Sequence, residues 1–222
     1  MLNDQEKHMN TLTTTDMAGL VARMADIIIE NEKPFCELDS AAGDGDFGMS
    51  VAKGFKVLKS EWNALDRADI GSFLRDCSLI ITEHCGGASG PIWGSAFRAA
   101  GKNAAGKALV DLGEFASLMQ AAVEGIQKRG GAKLGDKTLL DALIPTVESL
   151  SASARAGLQI EAAFEKAAAA AREGAEKTRE YSASKGRASY VGDRSLSHPD
   201  AGAMALGIIF TQIAETTAAG AV

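Results

Sequence analysis

Apolar residues in this 222-residue chain recur three and four positions apart along almost its whole length. That interval stacks side chains on one face of a helix, whereas the alternation of Val, Ile, Thr and aromatic residues that marks a half-buried strand is absent. The pattern predicts an all-α fold. Helices are expected at about 16–31, 49–64, 69–85, 90–105, 111–129, 138–156, 160–181 and 200–218, with boundaries set by capping and breaking residues. Asp16, Asp69, Thr138 and the pair Asp111 and Glu114 mark starts, and Gly86-Gly87 and Gly130-Gly131 mark stops. The Ala-rich segment Ala162–Ala175 lacks a sustained heptad, so it is expected to pack closely on a neighbouring helix rather than form a coiled coil. With no Pro/Ser-rich linker, residues 15–222 read as one domain after a flexible segment at 1–14.

The formal net charge is −6, and Lys and Arg alternate with Asp and Glu along polar helix faces, leaving no basic stripe for nucleic acid. The polar start lacks a signal pattern and no apolar run approaches a membrane span, so a cytoplasmic protein without a membrane partner is expected. Cys36, Cys77 and Cys85 are odd in number and unpaired in spacing, which predicts reduced thiols in or near the core.

Chemistry concentrates in glycine-bearing loops between the expected helices. The first, Asp39-Ser40-Ala41-Ala42-Gly43-Asp44-Gly45-Asp46-Phe47-Gly48, places three carboxylates and three glycines within ten residues. Such a turn converges its carboxylates, and without Cys or His nearby it suits Mg²⁺ shared with a phosphate better than zinc. A calcium loop is excluded, since its twelfth position would be Phe55 where a bidentate Glu is needed. Taken alone, the turn also fits an ordinary solvated loop.

Gly86-Gly87-Ala88-Ser89-Gly90-Pro91 bares backbone N–H groups ahead of a helix, as a phosphate site or as a turn capped by Ser89. Arg129-Gly130-Gly131 leads to Leu134-Gly135-Asp136-Lys137-Thr138, which delivers a charged pair to a helix start, either for binding or as a surface ion pair. The segment Lys185–Ser195, followed by His198-Pro199-Asp200, holds two arginines able to fork around phosphate. The P-loop-like run Gly101–Ala108 has Ala108 where a Mg²⁺-binding hydroxyl belongs, and it reads as a helix end. His8, His84 and His198 lie near no nucleophile elbow, and His84 reads as structural.

In this order on an all-helical chain, LDSAAGDGDFG, GGASGPIWG, LGDKTLLDALIPTVESL and KGRASYVGDRSLSHPDAGA resemble the nucleotide-binding L subunit, or C-terminal L domain, of dihydroxyacetone kinases. The resemblance implies a single-domain eight-helix antiparallel barrel with ATP or ADP held at one end by interhelical loops. It implies that Asp39, Asp44 and Asp46 hold two Mg²⁺ ions on the nucleotide phosphates. Phe47, Gly48, Met49, Ser50, Ala88, Ser89, Gly130, Leu139, Arg187 and Asp200 would line the nucleotide. The family usually has His where this chain has Phe47, a side chain that could pack on base or ribose instead. The implied activity is that of half a two-component kinase for dihydroxyacetone or a related short ketose, the ketose being held by a separate K subunit. The phosphoryl donor would be free ATP or a phosphotransferase-system protein. A related kinase with another acceptor, of the fatty-acid-kinase type, and a nucleotide-loaded regulatory subunit remain open alternatives.

Overall fold

Each long helix packs on its neighbours in sequence, and the last packs on the first, so that eight helices close a ring. The structure is a computed structural model that describes residues 10–219. The ring consists of α1 (Thr14–Glu30), α3 (Phe47–Ser60), α4 (Ile70–His84), α5 (Ser89–Asn103), α6 (Leu112–Gly130), α7 (Leu140–Arg155), α8 (Ile160–Lys177) and α9 (Ala201–Ala218). A short helix, α2 (Glu32–Ser40), packs against α1, α3 and α9.

Successive ring helices run antiparallel, and this alternation fixes where their connections fall. The links 31–46, 85–88, 131–139 and 178–200 meet at one mouth, while 61–69, 104–111 and 156–159 meet at the other. All four glycine-bearing segments therefore share an end. The opposite mouth is closed by backbone bonds, with Ile70 N–H donating to the Lys107 carbonyl and Thr14 N–H to the Ala108 carbonyl. There, strands β1 (Thr11–Thr13) and β2 (Leu109–Asp111) pair antiparallel, Leu12 opposite Val110.

The helix faces that meet inside the ring are apolar, as their spacing requires, and they enclose a cavity of about 150 Å³ lined by Met17, Trp93, Phe97, Phe115, Phe164 and Phe210 among others. The Ala-rich helix α8 does pack closely, since a Cβ at Gly174 would run into the Asp141 carbonyl oxygen of α7. Asp69 caps α4 through Ser72 N–H, and Asp111 and Glu114 form the reciprocal capping box of α6. Gly131 closes α6 at φ 63°, a left-handed conformation that glycine adopts without strain.

Several expectations need correction. Helix α1 starts earlier than Asp16, because Thr13 is the N-cap and Asp16 is its capping-box partner. Thr138 lies one residue before the N-cap position of α7, which Leu139 occupies. Helix α2 had no periodic signature, having only nine residues around one fully buried anchor, Phe35, and its Pro34 falls in the first turn where a missing N–H does no harm. Strands of three residues are too short to show alternation. Of the segment expected to be flexible, residues 1–9 lie outside the described residues and Thr11–Thr13 form β1. The free cysteines stand as expected, Cys77 and Cys85 buried and Cys36 half-buried. Among the described residues no helix is long and apolar enough to cross a membrane.

Candidate metal and nucleotide site

The acidic turn is built by α2 and α3 together. Asp39 sits in the last turn of α2, Asp44 in the turn itself and Asp46 at the N-cap position of α3. Asp46 makes no side-chain cap bond; instead Asp39 Oδ2 accepts from the N–H groups of Asp46 at 3.1 Å and Phe47 at 3.3 Å. Asp39 thus caps a helix seven residues ahead and ties the two ends of the turn. The turn closes through Gly43 N–H on the Asp39 carbonyl at 2.6 Å and through Gly45 at φ 75°. One carboxylate oxygen from each of Asp39, Asp44 and Asp46 lies within 4.8 Å of the others. This all-oxygen donor set, half-exposed and free of sulfur and imidazole, suits a hard divalent cation.

A cationic group already sits there. Arg187 reaches from the 178–200 link to pair with Asp44 and, at 3.4 Å, with Asp46. The first helical turn behind the carboxylates carries Gly48, Met49 and Ser50, and Gly86 N–H donates to the Ser50 carbonyl at 2.9 Å, fastening the second loop beside the first. Ser89 is not the cap of α5. It is the first helical residue, Ala88 takes the N-cap position, and no side chain caps the helix. The positive end of α5 is therefore left for an anion. Gly130 lies across from Ile92 in the first turn of α5.

Leu139 faces Gly202 in the first turn of α9, whose N-cap Asp200 accepts from Ala203 N–H at 2.7 Å. Burial pushes the Asp200 carboxyl up to about 7, and the carboxylates of Asp141 and Asp39 push in the same direction against the Ala203 N–H and Lys137. All thirteen residues expected to form the site thus belong to one mouth. Phe47 turns inward, its ring 6.1 Å from that of Phe35.

Two residues escaped sequence reasoning. Asp141 is buried and accepts from Gly135 N–H at 2.6 Å and Thr138 N–H at 2.7 Å, which folds the third loop. Its signal was available, an Asp three residues after a Thr at a helix start. Lys137 is no surface ion-pair partner: it is 2 % exposed, and nothing local in the sequence announces that burial.

A family model described as the DAK2 domain matches residues 41–215. The chain belongs to the DAK2 domain family. A DAK2 relative in Escherichia coli (strain K12), the ADP-binding subunit of PEP-dependent dihydroxyacetone kinase, is 32 % identical over 92 % of this chain and 97 % of its own. The ADP-binding subunit of PEP-dependent dihydroxyacetone kinase 1 of Listeria innocua is 34 % identical over 84 % of this chain and 88 % of its own. The crystal structure of the C. freundii dihydroxyacetone kinase in complex with AMP-PNP and Mg²⁺ superposes with a TM-score of 0.70 at 28 % identity, covering 90 % of this chain. This chain spans about a third of that longer kinase, 33 % of its length. The DAK2 match starts at residue 41, so it omits α1, which the ring needs for closure, and Asp39, which the acidic turn needs for its cap.

Proposed function

We propose that this chain is the ADP/ATP- and magnesium-binding subunit of a two-component kinase for dihydroxyacetone or a related short ketose. The convergence of three carboxylates beside an uncapped helix N-terminus, at the single mouth where all four loops meet, carries the reading. Asp39, Asp44 and Asp46 would hold two Mg²⁺ ions, which when bound neutralise charge on the nucleotide phosphates and on the transferring phosphoryl group. The backbone N–H of Ala88, the hydroxyl of Ser89, whose own N–H donates to the Gly86 carbonyl, and the guanidinium of Arg187 are suited to the phosphates. Met49, Gly130 and Leu139 would border the nucleoside, and Asp200 closes the floor.

The chain's own part is to hold and orient the nucleotide; no residue here is assigned as an acid, base or nucleophile. The acceptor would come from a K-type subunit docked on the Asp39–Ser50 and Gly186–Ala201 rim, since in-line transfer requires its hydroxyl to be held close to the γ-phosphorus. Met49, Leu134 and Tyr190 are large apolar side chains exposed around that mouth, Tyr190 at 88 %, as a rim awaiting a partner would present. Relatives described as PEP-dependent and PTS-dependent support a phosphotransferase-system phosphoryl donor.

The deciding measurement is ketose phosphorylation by the purified chain with and without a cognate K-type subunit. Transfer should require the partner. Robust transfer by this chain alone would overturn the two-component reading.

A further inference from the structure

Lys137 lies in the 131–139 link, in the left-handed region at φ 61°, unusual for a lysine. Its ammonium is buried against four main-chain carbonyl oxygens, those of Thr178 at 2.8 Å, Tyr181 at 2.9 Å, Ser195 at 2.7 Å and His198 at 2.7 Å. Three N–H donors face four acceptors, so at least one hydrogen is shared. Among the described residues no carboxylate lies at ion-pair distance from it. Asp200 and Asp141 favour the charge from further away, while burial pulls the ammonium's pKa down.

All four acceptors belong to one segment, the 178–200 link that carries Arg187. All four accept from the same donor, the Lys137 ammonium. Without it, buried carbonyls would be left unpaired and the link would rearrange to reach water. The adjacent residue grips the same link, Asp136 accepting from Ser184 N–H and Oγ–H. The middle of the link, between the gripped Tyr181 and Ser195, delivers Arg187 onto Asp44 and Asp46.

We propose that Lys137 is a positioning residue of the nucleotide site: a tethered cation that gathers the 178–200 link around itself and so places the Arg187 guanidinium and the Asp200 cap at the mouth. It touches neither nucleotide nor metal, and its role rests on the nucleotide-binding reading above.

The test measures Mg·ADP affinity by calorimetry on the full chain, for the wild type, Lys137→Met, Arg187→Ala and the double variant. Met fills similar volume without a donor, so Lys137→Met should weaken Mg·ADP by roughly tenfold or more. The double variant should be no weaker than the worse single by more than about twofold, because both substitutions remove one contact. A scaffold role would instead give penalties that multiply. Lys137→Ala adds a chemical readout: n-propylammonium should restore affinity, and tetramethylammonium at equal ionic strength should not. Binding by Lys137→Met within about twofold of wild type, or multiplicative penalties, would overturn the proposal. So would failure of both Lys137 variants to fold with propylammonium present, which would make the lysine a general folding requirement. Failure of the wild type to bind Mg·ADP would remove the nucleotide reading itself, a distinguishable result.

Discussion

Replacing Arg187 by Ala should move two affinities in opposite directions. In the structure the guanidinium pairs with Asp44 and Asp46, where an incoming divalent cation must displace it. The Arg187 side chain is 52 % exposed and its partners 43 % and 44 %, so solvent screens the pairs heavily. Exposed pairs of this kind contribute at most about 1 kcal/mol, so removing the competitor should tighten divalent binding by up to roughly fivefold. With nucleotide, Arg187 is expected to turn to the phosphates through charge-assisted hydrogen bonds, whose loss costs about 1.5–3 kcal/mol, roughly tenfold to a hundredfold in affinity. The free Mn²⁺ spin-resonance signal reads the first affinity in nucleotide-free protein, and calorimetry with ADP in saturating Mn²⁺ reads the second. If both affinities fall, Arg187 is not a competitor for the cation site; if both rise, it is not a phosphate ligand.

Asp44→Asn removes one charged donor of the proposed metal site, and Mg·ADP should bind roughly tenfold or more weakly while the melting temperature changes little, since relief of repulsion from Asp39 and Asp46 offsets the loss of the exposed pair with Arg187. Unfolding by Asp44→Asn with intact binding in the folded fraction would make the turn structural. Asp200, raised from its ordinary 3.8 to about 7 by burial, holds a proton in the folded state across a window where the unfolded chain has lost it. Stability of the metal-free chain should therefore fall as pH rises from about 4 to about 7. Asp200→Asn, which keeps the cap acceptor, should flatten that slope in thermal melts, and an unchanged slope would locate the titration elsewhere. Gly48→Ala drives a Cβ into the Glu32 carbonyl oxygen, backbone against backbone, so α2 and α3 must part. Overpacking of this kind costs about 1–3 kcal/mol, which should lower the melting temperature by roughly 2–10 °C, and an unaltered melt would show that the two helices slide freely.

The helical ring was legible in the chain because an amphipathic helix repeats its own address every three or four residues, and seven of the eight ring helices carry that repeat, while α9 is apolar nearly all round in its first half. The acidic turn was legible for a similar reason: Asp39, Asp44 and Asp46 are close in sequence, and glycines between them force the chain to bend. What the sequence left open are relations between distant segments. Asp39 looked like one more ligand until α2 appeared and made it the cap of α3 as well. Lys137 looked like a surface charge because its four partners are carbonyl oxygens, which every residue possesses and which therefore leave no mark in side-chain identity. That the four loops share one mouth follows from an even-numbered antiparallel ring, a property of closure rather than of any segment. Local periodicity determined which stretches became helices, and only the long-range packing of α9 onto α1 decided that their loops would meet in one site.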